Sequence, residues 1–359
     1  MNTFRDTLWA GIAGMCFCAL CHAAGPAGKA GFEAPPPEWL SAYDLFADLA
    51  RQIPSDGVMP YDLSALLFSD YAVKHRFVWM PPGTSATYQD YDVFEFPVGT
   101  ILVKTFAFPR DARRPEEGEQ LVETRLLVRT KATWKMYPYV WNEQGTDARL
   151  ALAGARVPVR WVHTDGAVRS MQFNVPNVNQ CKHCHIGGGA PLPAGPKARY
   201  LNMDYAYPAG AENQLVYWIR TGRLTGLADP ATAPKAPDWD DPNSGTLDER
   251  ARTYLDINCA HCHSPGGLAY TSGLDLRFDQ TTPMRYGVLK SPVAAGRGAS
   301  IGQYDIVPGD PDKSILLYRL TTTDPGVRMP TVGRSLEHDE GVELIREWIA
   351  DMAAPKQTN

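Results

Sequence analysis

The sequence predicts an α+β protein, in which a β-sheet-rich N-terminal domain is followed by an all-α C-terminal domain. Two observations support this order. Between residues 73 and 174 the apolar residues recur with a period near two, which is typical of strands. After residue 245 they recur at helical spacing, most clearly in the apolar stripe of a closing helix at about 339–352.

The predicted strands are segments rich in β-branched and aromatic residues, at 100–108, 121–129 and 156–163. Asp165-Gly166 separates the last of these from an apolar segment at 168–173, and this predicts a β-hairpin. Further helices are predicted at 212–220 and at 247–258. A first amphipathic helix is predicted from five apolar residues at helical spacing: Trp39, Leu40, Tyr43, Phe46 and Leu49.

A chain of 359 residues is long enough for two domains. We expect a β-rich domain at 25–228 and a second domain at 246–359. The segment between them, 229–245, has the composition of a linker, since it is rich in proline and aspartate.

Residues 1–24 predict a secretory signal peptide. Arg5 lies before an apolar stretch at 8–20, and a small-residue cleavage site ends at Ala24. The stretch is shorter than the roughly 20 residues of a spanning helix, although an uncleaved anchor is the alternative. A lipid anchor is disfavoured, because large residues precede each cysteine here: Met15, Phe17 and Leu20. We therefore expect a periplasmic protein with no integral membrane segment after signal cleavage.

Four of the seven cysteines lie beyond the signal, and all four belong to two Cys-x-x-Cys-His pentads, at 181–185 and 259–263. We call these the first and second pentads. Two thiols three residues apart can add to the two vinyl groups of one heme, and the adjacent histidine then binds its iron. The sequence thus predicts two covalently bound hemes c. The attachment residues are Cys181, Cys184, Cys259 and Cys262, and the iron ligands are His185 and His263.

Two alternatives use the same cysteines. A zinc site or a dithiol redox motif would explain the Cys-x-x-Cys pairs but not the histidine after each of them. A third match, at 18–22, lies within the predicted signal, so cleavage should remove it.

The sixth ligand of the second heme is predicted to be Met329. It precedes Pro330 in a loop before the closing helix, and proline favours an extended backbone that would hold the thioether in place. Met284 and Met352 are the other methionines of this part. The first heme lacks a comparable loop, with Met203 and His163 the nearest candidates, so we expect a five-coordinate or weakly ligated iron.

Residues 246–353 resemble a class I cytochrome c: a helix leads into the pentad, a Met-Pro loop follows, and a helix closes the domain. The segment 306–319 is similar to one found in many bacterial cytochromes of this kind. The resemblance implies that the all-α domain is a class I cytochrome c domain. The chain as a whole resembles a family of bacterial diheme c-type cytochromes at 131–142, 175–180 and 254–258.

The N-terminal domain resembles, more loosely, the β-sheet cytochromes c-prime and the lysine-cross-linked heme enzymes that oxidise hydroxylamine. Residues 97–104 on a sheet and a pentad near the end of the domain carry this likeness. Lys104 is at the position of the lysine that is bonded to the heme in those enzymes. A surface lysine, or one that pairs with a heme propionate, is the alternative.

Together these features predict an exported diheme c-type cytochrome that performs periplasmic electron transfer with redox partner proteins. The alternative is a heme enzyme or gas-binding protein that uses a five-coordinate first heme, with the second heme as relay. A diheme peroxidase is less favoured, because its hemes lie in two helical domains. A net charge of −5 argues against a nucleic-acid partner. No catalytic residue is predicted.

Overall fold

A computed structural model describes residues 32–293 and 295–353. The predicted signal peptide and the third Cys-x-x-Cys-His match lie outside these residues. The strands, in chain order, are β1 Phe46–Asp48, β2 Ile53–Pro54, β3 Val58–Tyr61, β4 Val73–Trp79, β5 Ala86–Thr87, β6 Ile101–Pro109, β7 Glu119–Arg129, β8 Trp134–Trp141, β9 Ala148–Leu150, β10 Ala155–Val162, β11 Val168–Val175, β12 Ile186–Gly187, β13 Ala190–Pro191, β14 Asp204–Tyr207, β15 Gly210–Asn213 and β16 Leu224–Thr225. The α-helices are α1 Val178–Cys184, α2 Ala198–Leu201, α3 Gln214–Arg220, α4 Leu247–Leu255, α5 Ile315–Thr321 and α6 Asp339–Asp351.

A six-stranded antiparallel sheet forms the centre of the N-terminal part, with the order β3-β4-β6-β7-β8-β9. The predicted β-rich region is therefore confirmed. Strand β6 is buried along nearly its whole length, because both faces of the sheet are covered. One face carries Ile101 and Val103, and the opposite face carries Leu102 and Phe106. The predicted hairpin is present as β10–β11, with Gly166 at a φ of 83° in its turn.

The predicted first helix is wrong. A single 3-10 turn, Leu40–Tyr43, is followed by strand β1. Asp44 ends the turn with a φ of 53°, in the left-handed region, so the backbone cannot continue as a right-handed helix. The apolar residues of this segment are explained by packing on the sheet, which Leu40 and Tyr43 contact.

The expectation of an all-α class I cytochrome c domain in the C-terminal part is also wrong. Helices α4 and α6 lie where the sequence predicted helices, and α5 lies between them. However, the described residues between 261 and 314 contain no α-helix. They form short 3-10 turns and two isolated parallel bridges, Val288↔Ile306 and Tyr304↔Ser314. Proline and glycine recur throughout this stretch, and both residues disfavour helix propagation.

The two parts of the chain share one buried apolar cluster. It contains Leu102 and Trp134 of the sheet together with Tyr254 and Trp348 of the C-terminal helices. Trp239, within the segment predicted to be a linker, is buried in the same cluster, and its Nε1 donates to the Leu66 carbonyl at 3.0 Å. The predicted domain division stays a prediction. No helix in the described residues is long and apolar enough to cross a bilayer.

His338 is a point of contact between the two parts. Its ring stacks on Phe68 at 4.0 Å and contacts the edge of Trp239, and its Nδ1 lies 3.0 Å from the Tyr254 hydroxyl. Burial lowers the pKa of His338 to about 3. The His338 imidazole is therefore neutral in the folded protein near neutral pH.

This burial predicts a pH-dependent stability. The pKa of His338 in the folded protein is below the ordinary histidine value of 6.5, so the unfolded chain binds the extra proton first as the pH falls. The stabilisation from neutral His338 should be complete above about pH 6.5 and decline as the pH falls toward 3. At about 1.4 kcal/mol per pKa unit, the loss between pH 6.5 and 5 is roughly 2 kcal/mol. Urea unfolding at both pH values should show this loss in the wild type and a smaller one in His338→Phe. Parallel pH curves for the two proteins would contradict it.

Candidate functional site

The first pentad is held by the short helix α1. A capping box starts this helix, since the Asn177 side chain accepts from the Gln180 amide and the Gln180 side chain accepts from the Asn177 amide. Cys181 and Cys184 are three residues apart on a helix, so both thiols lie on one side of it. His185 follows at the end of the helix, and its amide donates to the Cys181 carbonyl at 3.1 Å.

The second pentad begins where helix α4 changes its winding. One turn of π-helix, Asp256–Ala260, continues α4 and carries Cys259. The Cys262 and His263 amides both donate to the Cys259 carbonyl, at 3.0 and 2.8 Å. Asn258 fixes the turn to the N-terminal part, because its Oδ1 accepts from the Phe68 amide at 2.8 Å. Such π-turns are frequent at functional sites.

The two pentads are in direct contact with each other. The Gly188 amide donates to the Gly266 carbonyl at 3.2 Å, and the Cys262 thiol lies 3.1 Å from the His183 carbonyl. The Cys184 thiol also lies beside the Cys262 thiol, which lowers the pKa of Cys184. A Cβ at Gly266 would lie 3.0 Å from the Gly188 nitrogen, so glycine at this position allows the two backbones their close approach.

A cavity of about 1210 Å³, part of it open to solvent, lies beside the second pentad. We call it the C-terminal cavity. Its walls are mainly apolar, and both His263 and Met329 line it. The structure thus brings together the two residues predicted to ligate the second iron. Met284 is 62% exposed and does not line the cavity, and Met352 packs against the shared apolar cluster.

A second cavity, of about 1110 Å³, lies between the first pentad and the sheet, and we call it the sheet cavity. Cys184 and His185 line one side, and Leu102, Lys104 and Phe106 of β6 line the other. Four residues line both cavities: Cys184, His261, Pro330 and Val332. The two spaces are therefore separated by a wall that they share.

Both pentad histidines are arranged to offer one ring nitrogen. The Nδ1 of His185 lies 3.2 Å from the Leu192 carbonyl and must donate to it, because a carbonyl only accepts. In the neutral ring this leaves Nε2 unprotonated, which is the form that binds a metal. The Nδ1 of His263 lies 3.0 Å from the Ser272 hydroxyl. Burial lowers the pKa of both histidines to about 4, so both rings are neutral at neutral pH.

The other candidates for a sixth ligand of the first iron lie elsewhere. His163 is buried, with its Nδ1 accepting from Trp161 Nε1 at 3.4 Å and its ring against Tyr71. Neither His163 nor Met203 lines the sheet cavity. Their position in the sequence near the pentad was therefore a poor guide to their position in space.

Lys104, the residue singled out by the resemblance to lysine-cross-linked heme enzymes, lines the sheet cavity. Burial lowers the pKa of Lys104 to about 7, and Arg76 and Arg125 beside it act in the same direction. These two arginines also line the cavity, and sequence reasoning missed them. The alternation of β6 marks Lys104 as a charge on a buried strand, but only the pairing of the strands reveals its neighbours.

The donor set suits a covalent heme at each pentad. The second pentad supplies Cys259, Cys262 and a neutral His263 to the C-terminal cavity, and the first supplies Cys184 and a neutral His185 to the sheet cavity, with Cys181 buried in the adjoining apolar cluster. A zinc site would need four donors around one point. Among residues 32–293 and 295–353, no group of three or more His, Cys, Asp or Glu side chains is placed to hold a metal ion. Comparisons with protein-family models, with curated proteins and with solved structures found no match to this chain.

The contact between the pentads predicts a specific cross-link when heme is not attached. The Cys184 and Cys262 thiols are neighbours, so mild oxidation of a heme-free chain should join them. Peptide mapping by mass spectrometry should recover the 184–262 disulfide, with Cys181 and Cys259 reduced. Disulfides within each pentad, 181–184 and 259–262, would contradict the contact.

Proposed function

We propose that this chain is an exported diheme c-type cytochrome that transfers electrons between redox proteins of the periplasm. The observation that carries the proposal is the contact between the two pentads, together with the wall that the two cavities share. A carrier that takes an electron at one site and releases it at another needs those sites to be close. The Cys184–Cys262 contact makes the two attachment points direct neighbours.

Each cavity has residues for a defined task. Cys181 and Cys184 would hold one heme beside the sheet, and Cys259 and Cys262 would hold the other in the C-terminal cavity. A bound heme supplies an iron that changes its charge by one electron. His185 and His263 present neutral rings for this iron, and their Nδ1 hydrogen bonds fix the ring orientation.

Met329 supports assignment of the second site to electron transfer. It lines the same cavity as His263, so the thioether and the imidazole are available to one iron. A methionine thioether together with a histidine would hold such an iron and raise its reduction potential. Leu255, Leu268 and Leu320 add apolar surface to the same space, which also favours the less charged, reduced state.

The partners are proposed to be redox proteins that dock near these cavities. The predicted signal peptide supports export, and it lies outside the described residues. The net charge of −5, which heme carboxylates would make more negative, fits a basic partner better than an acidic one.

A second candidate function is a heme enzyme or gas-binding protein that works at the first site. The observation in its favour is that the described residues lining the sheet cavity include Lys104, Arg76 and Arg125 but no methionine. A cationic pocket without a thioether suits an exogenous ligand better than a closed coordination sphere. Carbon monoxide separates the two functions, since the reduced protein should bind it at the first heme only in the second case.

The proposal predicts two covalent hemes per mature chain. Intact mass after denaturation should show two heme additions on a chain that begins near Ala24, because four cysteines supply two thioether pairs. Cys181→Ala with Cys184→Ala should leave one heme, and so should the corresponding pair of changes in the second pentad. Unmodified cysteines in the periplasmic protein, made with its heme-attachment machinery present, would reject the proposal.

A further inference from the structure

We propose that Arg76, Lys104 and Arg125 form an oxyanion site in the sheet cavity. This inference rests on the proposed function and deepens it, because it names the class of ligand that the first site would recognise. The ligand is a small planar anion with two oxygens on one atom, such as a carboxylate or nitrite.

The three cations form a row across three neighbouring strands. Arg76 of β4 is paired directly with Lys104 of β6, and Lys104 is paired directly with Arg125 of β7. Directly opposed residues of an antiparallel sheet project from the same face. All three line the cavity that contains Cys184 and His185. Like charges placed side by side on a sheet are destabilising, so an anion that they share would remove a cost already present in the fold.

The protein compensates only part of this charge. Arg76 Nη1 donates to Asp62 at 2.5 Å, and Arg125 donates to Glu123 at 2.5 and 2.8 Å. Within the described residues, Lys104 has no ion pair and lies 5.0 Å from the Phe106 ring centre. When Lys104 is protonated, three cations against two carboxylates leave one positive charge. The described residues that line the cavity include no aspartate or glutamate, so this charge faces the space uncompensated.

Arg76 provides an unused donor at the same place. Its side chain is only 3% exposed, yet its Nη2 has no hydrogen-bond partner in the described part of the protein. Buried donors are normally paired, so a free one that borders a cavity points to a ligand. A guanidinium beside an ammonium suits two oxygens on one atom, because the planar donors and the point charge can bind one oxygen each.

Two sources could supply such an anion. One is the carboxylate of the heme that the first pentad would hold, and the other is a free oxyanion that enters the cavity. The chemistry that the row recognises is the same in both cases. They differ in whether the site is already filled in the mature protein.

The test is a calorimetric titration of the mature holoprotein with nitrite, joined to a redox titration of the first heme. Lys104→Met removes the uncompensated charge while keeping much of the side-chain length. The matched control is Lys74→Met, because Lys74 lies two residues from Arg76 on β4 but does not line the cavity, and its Nζ donates to the Leu67 carbonyl at 2.8 Å. Lys104→Arg, which keeps the charge, should behave as the wild type.

If the source is a free oxyanion, nitrite should bind the wild type, and Lys104→Met should weaken binding about tenfold or more. If the source is the heme carboxylate, nitrite should not bind, and Lys104→Met should lower the potential of the first heme. In both cases Lys74→Met should have the smaller effect. Equal effects of the two changes, or no effect of Lys104→Met on either measurement, would overturn the proposal.

Failure of the proposed function gives a different result. A mature chain without heme, as shown by its mass, would reject the cytochrome assignment. The nitrite titration would still report on the cationic row, because heat of binding requires no heme. For such a chain, the absence of Lys104-dependent nitrite binding would overturn the oxyanion site.

Discussion

The contact between the two pentads is the constraint on which the rest of the site depends. A backbone hydrogen bond joins Gly188 to Gly266, and a thiol contact joins Cys184 to Cys262. These contacts bring a site next to the sheet and a site among the C-terminal helices to one wall. The shared apolar cluster supports this arrangement, because it includes residues of the sheet and of helices α4 and α6. The two sites are thus built as a pair by one continuous core.

The sheet cavity and the C-terminal cavity differ in chemistry although their pentads match. The C-terminal cavity is mainly apolar, and Met329 and His263 both line it. The sheet cavity is bordered by three cations whose carboxylate partners lie outside its lining. Holding Lys104 there is costly, as its lowered pKa reflects. A mainly apolar site suits electron exchange, whereas a cationic one suits recognition of an anion.

Several features could be predicted from the sequence because local chemistry determines them. The strands β6 and β7, the hairpin at Gly166 and the closing helix α6 follow from residue periodicity and turn residues. The prediction of a first helix was wrong, because five apolar residues at helical spacing also fit a turn and a strand that pack on a sheet. The prediction of an all-α domain was also wrong. Its first and last helices have a clear apolar period, but the proline- and glycine-rich stretch between them has none.

Only the two pentads and the Met-Pro loop of the candidate site could be predicted from the sequence. Met329 of this loop lies in the cavity of His263. The contact between the pentads is set by residues 79 positions apart, His183 and Cys262, and no local pattern reports it. The cationic row likewise requires the register of three strands. The candidate ligands can therefore be predicted from the sequence, whereas their relative positions in space depend on tertiary packing.

The central claim is that two redox sites lie side by side in one protein. It is tested most directly by the reduction potential of the first heme, measured in the diheme protein and in a variant whose second pentad carries Cys259→Ala and Cys262→Ala. A charge on one iron should act on its neighbour, so the account predicts a shift on the order of tens of millivolts, larger at low ionic strength. An identical first-heme potential in both proteins, at low and high salt, would contradict it.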